Sequence, residues 1–114
     1  MNEEKFHLTL IPNPTKIGNT DVSLGFANGY VGLPFAHPWA EKKDNYDLPA
    51  KVHGGVTWCD DHLPNTPPDG KHFWIGFDTR HWGDNRDTCS NMYCYIQLFS
   101  LYQQALDAYN NQPN

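Results

Sequence analysis

The sequence predicts an α+β fold, a small antiparallel sheet with one C-terminal amphipathic helix packed on one face. Three observations predict it. Short runs in which apolar and polar residues alternate fill most of the chain before residue 80, the period of half-buried strands. Stretches rich in Pro, Gly and Asn separate these runs and turn the chain. Only after Ser90 do the apolar residues take up helical spacing. No linker-like stretch divides the 114 residues, so 1–114 reads as a single domain.

In chain order, Phe6, Leu8 and Leu10 alternate with His7, Thr9 and Ile11, a strand ended by the prolines of IPNP. HLT within it matches half of the paired His-x-Thr signature of two-histidine phosphoesterases. No second copy follows, so His7 reads as an ordinary strand residue. Val22, Leu24 and Phe26 precede Asn28-Gly29, and Tyr30, Val31 and Leu33 follow it; Asn-Gly between two such runs predicts a hairpin turn. PFAHPW is a proline-stiffened loop presenting His37 and Trp39, and residues 40–50 are a charged surface connection. Residues 51–59 and 72–79 predict a second hairpin. The proline-rich loop 60–71 between them is expected to be mobile and is long enough to close over a ligand. The stretch from about Ser90 to Tyr109 predicts the helix, with Asp87 or Ser90 as cap and Met92, Ile96, Phe99, Leu106 and Tyr109 as its apolar face.

Candidate chemistry concentrates in the second hairpin. Alternation places His72, Trp74, Gly76 and Asp78 on one face of its second strand, and His53, Gly55 and Thr57 on the corresponding face of its first. Antiparallel pairing with apolar faces aligned allows a register that sets Gly55 opposite Gly76 and His53 opposite Asp78, and registers two units away satisfy it equally. Glycine weakens a strand, so two on one face predict a hollow where a ligand meets backbone. A carboxylate beside an imidazole fixes its tautomer for proton transfer, which makes His53, His81 and Asp78 the candidate catalytic residues. Arg80 and Arg86 suit phosphate oxygens, while Trp39, Trp74 and Trp82 offer faces for a purine. Arg80, Arg86, Trp39 and Trp74, with Thr57, His37, Gly55 and Gly76, form the candidate ligand-binding set. Asp78, His81 and Asp84, with His53 or His37 completing the set, are spaced as metal ligands, so a divalent metal is an alternative occupant, and no other cofactor is indicated.

Composition narrows the partners. A formal charge of −5 with eight Lys plus Arg argues against long nucleic acids, whose affinity comes from neutralising phosphates. No run of eighteen apolar residues is present, so the chain is expected to be soluble and cytoplasmic, without a membrane partner. Cys59, Cys89 and Cys94 are odd in number and lack CxxC spacing, which reads as reduced thiols rather than a disulfide framework or a structural zinc site.

Three motifs in order, GYVGLP with His37-Pro38, VHGGVTW at 52–58, and WIGFD at 74–78 with His81, Gly83 and Asp84, resemble a group of small proteins encoded by bacteriophages and prophages, mostly of unknown function. The resemblance covers roughly residues 29–110 and leaves out the first strand. Arg80 stands where that pattern has a small residue. The resemblance implies a counter-defence role in the cytoplasm of an infected bacterial host. The expected activity is recognition of a small phosphorylated nucleotide, such as a cyclic oligonucleotide immune signal, with hydrolysis of its phosphodiester by His53 and His81, Asp78 orienting one of them. The alternatives are a sponge that sequesters the nucleotide unchanged and a protein–protein inhibitor of a host enzyme. Homo-oligomerisation is compatible with either.

Overall fold

The computed structural model describes residues 5–40 and 47–112. Strands β1 (His7–Pro12), β4 (Ala27–Pro34), β5 (Trp58–Asp60) and β6 (His72–Phe77) form a four-stranded antiparallel sheet in the order β1-β4-β6-β5. A two-stranded hairpin, β2 (Lys16–Ile17) and β3 (Thr20–Asp21), projects from the β1–β4 connection, and the helix α1 (Asn91–Asn110) closes the chain. The α+β architecture expected from the sequence is the one observed.

Alternation decides what each face of the sheet meets. Val31, Leu33, Phe73, Ile75 and Phe77 point to one side, where Leu98, Leu101, Ala105 and Leu106 of α1 cover them and form the main core. Each buried Leu here contributes about 1.5–3 kcal/mol. Ser90 caps the helix by accepting the Tyr93 N–H at 3.2 Å, worth about 1 kcal/mol. On the opposite face, aromatic rings lie across glycines of the neighbouring strand. Tyr30 stands opposite Gly76 and Trp74 opposite Gly32, and a Cβ on Gly76 would come within 2.4 Å of Tyr30.

Four expectations are corrected. Asn28-Gly29 is not a turn but lies inside β4, where Gly29 makes room for the Phe77 ring and the Asn28 side chain accepts the Thr79 N–H at 3.0 Å. The outward stripe of α1 is Met92, Tyr95, Ile96 and Phe99, while Cys94, Leu98, Leu101 and Ala105 face the sheet. Both stripes satisfy helical spacing, and the one with small residues at its ends allows close approach to the strands. Residues 51–57 are not a strand. Their backbone is taken up by the helix: Gln104 exchanges two 2.8 Å hydrogen bonds with the Lys51 main chain, and Gln97 accepts the His53 N–H at 2.9 Å. Pairing with β6 therefore starts only at Thr57, in a register that sets Trp58, not Gly55, opposite Gly76. The charged connection falls partly outside the described residues, at 41–46, and within its described part Leu48 is buried.

Candidate functional site

Beyond the end of β6 the chain turns through Asp78–Asp84, and a buried polar knot fixes where that turn sits. Thr79, fully enclosed, donates its hydroxyl to the Ala27 carbonyl at 2.8 Å, and Asn13 reaches Thr79, Asn28 and the Gly25 carbonyl at 3.0–3.1 Å. The turn is thereby pinned to β1 and β4. Spacing of three residues on either side then brings both carboxylates to one imidazole: His81 Nδ1 lies 3.1 Å from Asp84 Oδ2 and 3.4 Å from Asp78 Oδ1. The His81 main-chain N–H also donates to Asp84 at 3.0 Å, closing the turn.

His53 reaches the cluster from the other side. Its Nε2 is 3.0 Å from Asp84 Oδ1 and its Nδ1 is 2.8 Å from the Tyr93 hydroxyl. Asp84, not Asp78, is thus the partner of His53, which corrects the expected pairing and follows from the helix holding residues 51–53. Asp84 takes both imidazoles, one on each oxygen. Burial would raise its pKa, but the hydrogen bonds from His53 and from the His81 backbone outweigh that and hold the carboxyl below its usual range. Asp78 remains attached through His81 and by accepting the Thr57 hydroxyl at 2.8 Å.

A cavity of about 550 Å³ opens beside this cluster, lined by Leu48, Ala50, Gly54, Gly55, Val56, Thr57 and His81. Gly54 and Gly55 have φ of +69° and +80°, a left-handed turn that lays bare backbone along the cavity wall. Gly54 lies against the His81 ring, where a Cβ would come within 2.4 Å, and Gly55 faces open space. Asp84 is a hydrogen-bond acceptor, so the proton of His81 sits on Nδ1. Among the described residues Nε2 has no hydrogen-bond partner, which leaves it an acceptor on a side chain that lines the cavity. The side chain is 38% exposed, against 21% for His53 and 10% for Asp84.

Of the expected set, the structure brings His53, His81, Asp78, Asp84, Thr57 and Gly55 together. The others lie elsewhere. His37 is 2% exposed, donating from Nε2 to the Ala105 carbonyl at 2.7 Å and accepting the Trp39 N–H on Nδ1 at 2.9 Å, so it joins loop to helix inside the core. Trp39 is buried beside it, and Trp74 is buried over Gly32. Gly76 is covered by Tyr30, so it cannot floor a hollow. Arg86 points to the β2–β3 side, donating to the Asn13 carbonyl at 3.0 Å and lying over Phe26. Arg80 is exposed, two residues beyond Asp78, whose carboxylate accepts its main-chain N–H at 3.1 Å. Trp82, beside His81, is fully exposed. The loop 60–71 supplies none of the described cavity lining; Trp58 holds it by donating to the His62 carbonyl at 2.8 Å.

Tyr93 and Cys89 belong to the cluster and were not singled out from the sequence. Cys89 Sγ lies 3.7 Å from His53 Nε2 and 3.6 Å from Asp84 Oδ1. Burial pushes its thiol pKa up, and the nearby Asp84 charge adds to this. Thiol and carboxylate also address the same ring nitrogen, so His53 has no relay geometry between them and Cys89 is no activated nucleophile. A polar stripe on the helix, Tyr93, Gln97 and Gln104, was the available signal for the surface that holds His53. No helix is long and apolar enough to cross a membrane among the described residues. Compared with family models, curated proteins and solved structures, the chain matches none.

Proposed function

We propose that the protein hydrolyses a phosphodiester of a small phosphorylated nucleotide held in the cavity beside His81. The observation that carries this reading is the His81 ring, which lines the cavity and is fixed by Asp84 on its Nδ1 side with no hydrogen bond to Nε2 among the described residues, the arrangement a general base requires. Water gives its proton to Nε2 and bonds to phosphorus. The bond to the ribose oxygen breaks, and that oxygen takes a proton from solvent at the open rim. His53, with both nitrogens engaged, is a positioning residue that holds Asp84. The cavity is within the size range of small-ligand sites. The exposed Trp82 offers a stacking face for a base and Arg80 a phosphate contact. The resemblance to phage-encoded proteins points to a cyclic oligonucleotide immune signal as the substrate.

The test is incubation with cyclic di- and trinucleotides, followed by denaturation and chromatography of what is released. Linear fragments are expected, with His81→Ala slowing their appearance by about 10²–10⁴-fold. Recovery of intact nucleotide from the protein would replace hydrolysis with sequestration. The outward stripe of α1 favours a second reading, a protein–protein inhibitor, because contiguous exposed apolar side chains mark interfaces. Under that reading Phe99→Asp abolishes biological activity while His81→Ala leaves it intact.

A further inference from the structure

The interior end of the cluster has a chemistry that proton transfer at His81 does not use. An imidazole nitrogen, a carboxylate oxygen and a thiol converge on one point: His53 Nε2 to Asp84 Oδ1 is 3.0 Å, Asp84 Oδ1 to Cys89 Sγ 3.6 Å, and Cys89 Sγ to His53 Nε2 3.7 Å. Zinc bond lengths at a tetrahedral angle require ligand separations of about 3.4 Å between nitrogen and oxygen and about 3.6 Å to a sulfur. Both sulfur separations match within about 0.1 Å by that measure. The nitrogen–oxygen pair is shorter by a few tenths, the length expected when a proton rather than a cation lies between them.

The orientation of His53 agrees with this spacing. A histidine that binds a metal through Nε2 carries its proton on Nδ1 and donates it to a neighbour that fixes the ring, and the Tyr93 hydroxyl stands there at 2.8 Å. The convergence of thiol and carboxylate on one nitrogen, which rules out a nucleophilic relay, is what a cation requires. His81 stays outside this triad, its Nδ1 held 3.1 Å from Asp84 Oδ2. The partial exposure of His53 gives the ion a way in from the rim.

We propose that His53 Nε2, Asp84 Oδ1 and Cys89 Sγ form a binding site for a zinc-class divalent cation, with Tyr93 orienting the imidazole and Asp84 Oδ2 still holding His81. A thiolate ligand selects zinc and its cobalt substitute over magnesium or calcium. The inference stands apart from the hydrolytic reading, because the cation lies behind His81 rather than in place of it.

The test uses the full chain, reduced and stripped of metal with a chelator, titrated with cobalt(II) and then with zinc alone. One equivalent of cobalt is expected to produce the near-ultraviolet absorption of a thiolate–cobalt bond, and zinc to abolish it. Cys89→Ser should lose that absorption, and Asp84→Asn should weaken zinc binding by at least about tenfold, the order of loss typical for groups supporting a metal site. The double variant Cys59→Ser/Cys94→Ser, which leaves Cys89 as the remaining thiol, should keep the absorption, and it serves as the test if Cys89→Ser does not fold. No absorption at one equivalent, or absorption that survives Cys89→Ser or is lost in the double variant, overturns the site. The readout needs no nucleotide, so a protein that binds cobalt and cleaves nothing loses the hydrolytic reading alone.

Discussion

Gly76 lies in the middle of a strand beneath the ring of Tyr30, whereas Gly54 and Gly55 lie in a loop at positive φ, one against His81 and the other facing the cavity. In the sheet, the missing side chain makes room for the protein's own aromatic layer. In the loop, it makes room for a functional imidazole and leaves backbone exposed to whatever enters. Glycine in a strand-like pattern therefore reports a close approach without saying what approaches. Here the two cases stand within one small fold.

Substitutions separate them. Gly76→Val carries the largest expected effect, because its Cβ would stand 2.4 Å from Tyr30 and 2.7 Å from the Gly29 carbonyl oxygen, and the backbone cannot yield as a side-chain tip can. A loss of about 3 kcal/mol, the upper part of the range for overpacking, corresponds to a fall in Tm of roughly 10 °C or more. A variant that melts with the parent protein would show that the ring layer is not packed as described.

Gly54→Ala and Gly55→Ala come next, each costing about 1–2 kcal/mol for an L residue held in the left-handed region. Their stabilities should fall together while their activities part. A Cβ on Gly54 displaces the His81 ring, so nucleotide cleavage drops, whereas one on Gly55 meets nothing within 4 Å and cleavage continues. Equal losses of cleavage in the two would mean that His81 is not the group that matters.

The smallest effect is on acid stability, and it contrasts an enclosed histidine with those at the rim. Burial lowers the His37 pKa from its ordinary value of about 6.5, opposed by its hydrogen bond to the Ala105 carbonyl. With the folded value depressed, the unfolded chain binds the proton more readily. The stability is complete above about pH 6.5 and declines as the pH falls toward the folded value. A second decline follows below about pH 4, where Asp84 and Asp69, the latter held down to about 2 by His72 and backbone N–H groups against the opposing effect of burial, lose their charge. Urea midpoints between pH 4.5 and 8 should show the first decline in the parent protein and not in His37→Gln; a flat profile in both would remove His37 as its cause.

Much of the fold was legible because it depends on local chemistry. The apolar alternation of residues 6–11 and 72–77, the helical spacing after Ser90 and the capping capacity of that serine each express a preference carried by a few neighbouring residues. The same holds for half of the candidate site, since Asp78, His81 and Asp84 meet through a spacing of three. The remainder depends on competition between distant partners. Alternation names two sets of residues in β4 and α1 without saying which set is enclosed, so Asn28-Gly29 looked like a turn and Met92, Ile96 and Phe99 like a buried stripe.

The sequence by itself determined β1, β6, the helix and the short-range contacts of His81 with its two carboxylates. Only the tertiary structure decided that Gln97 and Gln104 draw residues 51–53 away from the sheet. That displacement delivers His53 to Asp84, Tyr93 and Cys89 instead of to Asp78. Backbone hydrogen bonds are satisfied by whichever donor or acceptor the packed chain brings nearest, and separations of thirty to fifty residues leave that choice to the shape of the whole core.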